Sequence, residues 1–258
     1  MRSGQKTQVR GLPTIEIINY SSTVDMNYPI VLSKARNLGY KFMVAEAFWI
    51  LSGRNDVEFM DKFSNKIKDF SDDGIFFNGA YGPKIIDQLP YIVECLHSDP
   101  CSRQAIINIW REKPSTSKDI PCTLGVQFLI RGDKLYCIDT MRSSDIWLGW
   151  PYDIFNFSML SNYVIYLLYK IDPKFKNLKL GTISLNAGSQ HIYESDLEKI
   201  KECIKDTDSN IIDEKKFEFD ANSNIIDYLD AVLHIDRKQL KRFFYSNLNL
   251  FTLTENKK

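Results

Sequence analysis

Two segments of alternating polarity, TLGVQFLI (123–130) and KLYCIDTM (134–141), flank Arg131-Gly132-Asp133. A side-chain period of two marks strands, and a Gly-Asp pair between such runs marks a tight turn, so the pattern predicts an antiparallel hairpin. With Gly132 and Asp133 at the turn, paired positions sum to 265 and Cys122 lies opposite Ser143. Its diagonal neighbours are Arg142 and Ser144, and one bulge would shift the match by a residue. A guanidinium beside a thiol favours the thiolate, which is the nucleophilic form. Arg and Ser side by side also suit a phosphate. The spacing alone leaves two readings open: a nucleophile at an anion site, or a small buried hydrophobe beside a surface Arg.

The remaining pattern is mixed. Residues 14–20 (TIEIINY) predict a strand, and 33–52 a helix with Leu38, Phe42, Ala45 and Trp49 on one stripe, ended by Gly53. Helices are expected over 57–70, 85–97, 155–170 and 195–205, and strands over 105–110 and 181–187. A glycine-rich loop, Phe77 to Pro83, separates two of the helices. The class is α+β, with no linker that cuts the chain, so 1–258 is expected to form one domain. The pentapeptide SNIID occurs at 209–213 and 223–227, too short to signal a solenoid.

Composition narrows the function. The 33 basic and 33 acidic residues cancel, which argues against a nucleic-acid footprint. The 44% hydrophobic content excludes a disordered chain, and no run of about 18 apolar residues predicts a membrane span. No secretory leader is read at the N-terminus. Five cysteines without C-x-x-C spacing fit reduced thiols in a cytoplasmic protein. Three histidines without carboxylate spacing predict no metal site.

Two further candidates stand out. Glu46 lies on the shoulder of the 33–52 stripe, where desolvation would raise its pKa toward that of a general acid–base; a partly exposed helical Glu is the alternative. His191 and Tyr193, just past the 181–187 strand, are two residues apart and would face one way, suited to a sugar hydroxyl or to a structural role. A cysteine hydrolase built on Cys122 and His191 lacks the Gly-x-Cys elbow such a nucleophile needs. A catalytically idle nucleotide binder sits poorly with both Cys122 and Glu46.

Several landmarks occur in order: Glu46-Ala47-Phe48-Trp49-Ile50-Leu51, Asn78-Gly79-Ala80-Tyr81-Gly82, Asp99-Pro100-Cys101-Ser102-Arg103-Gln104, Pro121-Cys122-Thr123, Gln127-Phe128, Arg142-Ser143-Ser144-Asp145, Leu148 to Ile154, and His191-Ile192-Tyr193. Together they resemble the thymidylate synthase superfamily from about Arg10 to Glu194. The resemblance implies an α+β fold with a large sheet whose face packs in a homodimer. It also implies a pyrimidine nucleoside monophosphate substrate and 5,10-methylenetetrahydrofolate as co-substrate. Cys122 would add to C6 of the ring, making C5 a nucleophile toward the one-carbon unit. Glu46 would manage protons. Arg142, Ser143 and Arg10 match phosphate ligands, and Arg103 an arginine reaching the phosphate from the other subunit. Gln127, His191 and Tyr193 fall at substrate-contacting positions. Asp145, Gly149 and Tyr81 fall on the folate side. Gln104 replaces a usual second Arg.

Departures within the resemblance bear on the substrate. Asp153 stands where uracil-specific synthases carry Asn. Asn donates to O4 and accepts from N3–H; cytosine inverts both groups, and a carboxyl that shares a proton meets that pattern. Mismatching such buried groups is worth about 10⁴–10⁵ in discrimination, roughly 5–7 kcal/mol. Cys122-Thr123 in place of Cys-His, and Met141-Arg142-Ser143 in place of Gln-Arg-Ser, are similar to the phage-type deoxycytidylate hydroxymethylases. The expected activity is hydroxymethylation of dCMP, with CMP as a variant and thymidylate synthase or uridylate C5 modification as the alternative. Lys68, where the family has Trp, and the C-terminal end Leu253 to Lys258 both point to a wetter site, which favours water over hydride. Residues 205–258 do not align with the family.

Overall fold

A computed structural model describes residues 4–33, 35–112, 116–205 and 223–240. The strands are β1 (Gln5–Val9), β2 (Leu12–Asp25), β3 (Ile106–Asn108), β4 (Thr123–Arg131), β5 (Lys134–Asp145) and β6 (Lys179–Tyr193). They form one mixed sheet in the order β1-β2-β6-β5-β4-β3, with β5 and β6 parallel and every other pair antiparallel. The helices are α1 (Tyr40–Leu51), α2 (Val57–Asp61), α3 (Gly82–Ser98), α4 (Trp150–Ile171), α5 (Leu197–Lys205) and α6 (Ile225–Leu233). Strands feeding a sheet with helices on one face confirm the α+β class.

The core lies between the inner sheet face and α1, α3 and α4. Val126, Phe128 and Ile130 of β4 and Leu135, Cys137 and Met141 of β5 point inward, as the alternation predicts. Phe155, Phe157, Leu160 and Val164 of α4 meet them. Burying a large apolar side chain contributes about 1.5–3 kcal/mol, so this layer dominates the stability. Lys41 of α1 ties the last turn of α6 to the core by donating to the carbonyls of Leu233 and Ile235. A cation at a helix C-terminus suits the exposed carbonyls there.

The β4–β5 hairpin matches the expected pairing sum from Arg131↔Lys134 to Gly125↔Thr140. Gly132 takes φ 61°, the left-handed conformation the turn requires. A bulge between Thr123 and Gly125 then moves Thr123 opposite Met141. Cys122 therefore stands level with Arg142, not Ser143, and its carbonyl accepts from Arg142 N at 2.8 Å.

Other boundaries differ from the sequence reading. The first helix begins at Tyr40 rather than 33, after Gly39 and an irregular approach. The 57–70 span is a short helix and a separate 3-10 turn, Ile67–Phe70, because Asp56 caps only the first by accepting from Phe59 N. The 105–110 strand shrinks to Ile106–Asn108. Expected strands 14–20 and 181–187 extend to Leu12–Asp25 and Lys179–Tyr193, so His191 lies inside β6 and not beyond a strand. The hairpin β1–β2 and helix α6 were not anticipated. Its turn residues Arg10 (φ 52°) and Gly11 (φ 80°) both have left-handed backbone, the type I′ signature. The first SNIID copy lies outside the described residues, as do 206–222 and 241–258. No helix among the described residues is long and apolar enough to cross a membrane.

Gly82 opens α3 where a side chain has no room: a Cβ there would lie 2.7 Å from the Arg54 carbonyl oxygen. Gly82→Ala must push backbone against backbone. A loss of about 1–3 kcal/mol in chemical denaturation is expected, together with displacement of the adjoining Tyr81.

Candidate active site

A cleft opens between α1, the glycine-rich loop, the start of β4 and the first turns of α4. It is lined by Glu46, Tyr81, Cys122 and Asp153, among apolar walls that include Trp49 and Phe77. Glu46 and Trp49 share a helix face because they are three residues apart on α1. Asp153 and Asn156 share one for the same reason on α4.

Cys122 is placed by its backbone. Tyr81 Oη accepts from the N–H of Cys122 and from that of Thr123, each at 3.2 Å. Tyr81 itself stacks on Phe157, with centroids 6.2 Å apart. Ser143 Oγ lies 3.8 Å from Cys122 Sγ and accepts from Arg142 Nη1 at 3.1 Å. The Arg142 guanidinium also donates to the carbonyls of Pro121 at 3.0 Å and Ile120 at 3.1 Å. Arg10, at the tip of the first hairpin, is close enough for its charge to be felt at the thiol.

Arg142 favours the Cys122 thiolate, as the spacing suggested, but burial outweighs it. Burial pushes the thiol up, the Asp153 carboxylate adds to that, and Arg142, Ser143 and Arg10 only partly offset it.

Glu46 has its pKa pushed up to about 7 by burial, with a partial offset from Asn156, whose Nδ2 donates to Oε2 at 2.8 Å. A carboxyl poised near neutrality can give and take a proton at physiological pH. Asp153 is raised well above the usual carboxylate range by burial first, then by the charges of Asp139, Glu46 and Asp145. That shift favours the protonated carboxyl, which carries one donor and one acceptor.

Asp145 Oδ1 accepts from Trp147 N and Leu148 N, both at 2.8 Å, shaping the turn into α4. Its Oδ2 is buried and unpartnered among the described residues. Gly149 packs close, since a Cβ there would sit 3.4 Å from Asp153 Oδ2. His191 and Tyr193 share a face as expected, their rings edge-to-face at 5.7 Å. His191 pairs with Asp145 across β5–β6 and with Glu16 across β2–β6, and it is not among the residues lining the cleft.

Arg103 and Gln127 are not drawn into this cleft. Arg103 is exposed, and Gln127 Nε2 donates to the Arg103 carbonyl at 2.8 Å. Tyr81, expected on the folate side, lines the cleft and also holds the backbone of Cys122 and Thr123. Lys68 pairs with Asp61 at 3.7 Å, while its neighbours Ile67 and Phe70 line the cleft.

Three residues escaped the sequence reading. Asn156 was findable as the residue one turn beyond Asp153. Asp119 lines the cleft and accepts from Gly79 N at 2.6 Å, pinning the glycine-rich loop. Asp139 was visible as a charge at an inward position of β5. No group of three or more His, Cys, Asp or Glu among the described residues could hold a metal ion.

A protein-family model for thymidylate synthase matches residues 1–232. The chain belongs to the thymidylate synthase family. It is 32% identical over 169 residues to a deoxyuridylate hydroxymethyltransferase of Pseudomonas phage M6, covering 62% of this chain and 46% of that protein. It is 36% identical over 135 residues to a deoxyuridylate hydroxymethyltransferase of Bacillus phage SP01, covering 45% and 35%. The chain thus spans less than half the length of these two relatives. A thymidylate synthase of Francisella philomiragia is 26% identical over 228 residues, covering 79% of this chain and 78% of that protein.

Glu46→Gln removes the one cleft carboxyl poised near neutrality. Turnover is expected to fall by about 10²–10⁴-fold. The ionisation near pH 7 should vanish from the pH–rate profile, while nucleotide affinity changes little.

Proposed function

We propose that the chain is a folate-dependent one-carbon transferase acting at C5 of a pyrimidine nucleoside monophosphate, with hydroxymethylation of dCMP as the favoured reaction and CMP as a variant. The observation that carries this reading is the enclosed carboxyl of Asp153, facing the same cleft as Cys122 and Glu46. Arg142, Ser143 and Arg10 supply cations and a hydroxyl beside the thiol, suited to a phosphate. The unpartnered Asp145 Oδ2 suits an N–H donor of a pterin ring, and Trp49, Ile50 and Phe77 give that end of the cleft apolar surface. 5,10-Methylenetetrahydrofolate, when bound, supplies a carbon at the formaldehyde oxidation level.

In this mechanism Cys122 Sγ bonds to C6, and the C5–C6 π pair moves to C5, which becomes the nucleophile. Protonated Asp153 faces N3 and the exocyclic N4, donating to one and accepting from the other. Glu46, held by Asn156, exchanges protons with the ring edge through water. After C5 has gained its carbon and lost its proton, water supplies the hydroxyl. Expulsion of Cys122 from C6 restores the ring. No hydride is consumed, so tetrahydrofolate rather than dihydrofolate is the folate product. A homodimer would bring Arg103 of each subunit to the other's phosphate.

A second reading, deoxyuridylate as substrate, is favoured by the names of the two phage relatives. The acid form of Asp153 is also compatible with uracil, since its donor can face O4 and its acceptor N3–H.

Incubation with methylenetetrahydrofolate and equal dCMP, CMP and dUMP, read by mass spectrometry, separates the readings. A gain of CH2O on a cytidine nucleotide without dihydrofolate is expected. A gain on dUMP alone would transfer the assignment to uracil. Asp153→Asn is expected to move the dCMP-to-dUMP preference toward dUMP by at least about 100-fold.

A further inference from the structure

The chain reaches Cys122 through a short arm, Asp119-Ile120-Pro121-Cys122. The pyrrolidine ring fixes φ at Pro121 and restricts Ile120 before it, so the arm has few soft torsions. Arg142 holds its middle by donating to the Ile120 and Pro121 carbonyls, at 3.1 and 3.0 Å. Both ends of the arm are bonded to the glycine-rich loop. At one end the amides of Cys122 and Thr123 donate to Tyr81 Oη, each at 3.2 Å. At the other, Asp119 Oδ2 accepts from Gly79 N at 2.6 Å. These bonds close a ring. It runs along the chain from Asp119 to Cys122, across to Tyr81, back through Ala80 to Gly79, and across again to Asp119.

The ring is tightly fitted. A Cβ on Gly79 would lie 2.9 Å from both the carbonyl oxygen and Oδ1 of Asp119, so only glycine admits the carboxylate at this distance. Arg111 holds the root of the loop, donating from Nη1 to Asn78 Oδ1 at 2.9 Å and from Nη2 to the Asn78 carbonyl at 2.5 Å. Asp72 holds the turn that leads into the arm, accepting from Ser117 Oγ at 2.5 Å and from Lys118 N at 3.0 Å. Between these outer anchors, the Asp119 carboxyl is the side-chain link from the arm to the loop. It lines the same cleft as Cys122, Glu46 and Asp153, so the link borders the space where the thiol acts.

We propose that Asp119 is a positioning residue for Cys122: by holding Gly79 it keeps Tyr81 Oη seated on the Cys122 and Thr123 amides, and so fixes where the thiol stands in the cleft. The inference rests on Cys122 being the nucleophile of the proposed function. It explains why a carboxyl stands in a cleft wall that continues as Ile120 and Pro121, and why the loop carries glycine at position 79. The role requires an acceptor at Asp119 and no proton transfer by it. Placement of reacting atoms is where small displacements cost most, with about 1 Å worth about 10²-fold in rate.

The test compares wild type with Asp119→Asn, Asp119→Ala, Asp119→Leu, Tyr81→Phe and the double variant Asp119→Ala/Tyr81→Phe, by steady-state kinetics and by hydrogen exchange. Asp119→Asn keeps an oxygen for Gly79 N, though without charge, and should stay within about threefold of wild type in kcat. Asp119→Ala and Asp119→Leu lack the acceptor, the second with the volume kept, so one failing to fold leaves the other. Each should lose about 10²-fold in kcat with little change in KM for the nucleotide. The peptide holding the Cys122 and Thr123 amides should exchange faster in Asp119→Ala, Asp119→Leu and Tyr81→Phe, and at the wild-type rate in Asp119→Asn. The double variant should lose no more than the worse of its two single variants, because both break one ring. Wild-type kcat in a folded Asp119→Ala or Asp119→Leu, an Asp119→Asn as impaired as these, or additive losses in the double variant would overturn the proposal. A wild type that turns over none of the three nucleotides sinks the proposed function instead. The exchange rates then still decide the ring, and unchanged protection in Asp119→Ala and Asp119→Leu would count against it.

Discussion

The site depends on one extra residue in β4. Without the bulge between Thr123 and Gly125, the regular register would set Cys122 opposite Ser143. With it, Cys122 is level with Arg142, and the two are joined through the backbone at 2.8 Å. A bulge also bends its strand and increases local twist. Here it frees both the Cys122 and Thr123 amides to reach Tyr81 Oη. Gly125 belongs to the same device: a Cβ there would lie 2.9 Å from the Ile107 carbonyl oxygen, so only glycine lets β3 pair at this point. Cys122, Tyr81 and Arg142 are thus brought together by one backbone irregularity.

The second constraint is electrostatic. Glu46, Asp139, Asp145 and Asp153 approach from α1, β5 and the first turn of α4, and the nearest arginines are spent on carbonyls or held toward the thiol. Burial raises Glu46, Asp139 and Asp153 above the usual carboxylate range. Glu46 sits closest to neutrality because Asn156 stabilises its charged form. The same crowding works against the Cys122 thiolate through Asp153.

Much of this was legible in the sequence. The hairpin was visible because alternation and turn chemistry agree over Thr123 to Met141, and its predicted sum fails only where the bulge intervenes. Glu46 was legible because a carboxylate on an apolar stripe has few other fates. The shape of the N-terminal segment was not: β1 carries little alternation, and its turn uses Arg10 in a left-handed conformation that Asn or Gly normally takes. The first helix was drawn too long because Leu38 extends its stripe past Gly39, while the backbone there is not helical. Arg103 and Gln127 lie apart from the cleft for a physical reason. They sit at the β3–β4 edge, which a single chain does not fold over its own thiol.

The identity of residue 153 carries less than its environment does. As an ion, Asp153 could only accept, which complements the N4 amine of cytosine but leaves N3 facing a like dipole. As an acid it offers both functions, and which oxygen carries the proton decides which ring it matches. An Asn-to-Asp exchange in an open, well-hydrated turn would leave the carboxylate ionised and would not make this switch. In the proposed function, enclosure behind Gly149 and three acidic neighbours would favour the acid form and so change the hydrogen-bonding pattern. In the proposed function the preference for cytosine over uracil then resides in whatever fixes that proton's position. The nearest groups able to do so are the Tyr81 hydroxyl, whose own proton is not committed to the two amides it accepts from, and the unpartnered Asn156 Oδ1. In the proposed function, base selection would then rest on this polar cluster acting together with Asp153.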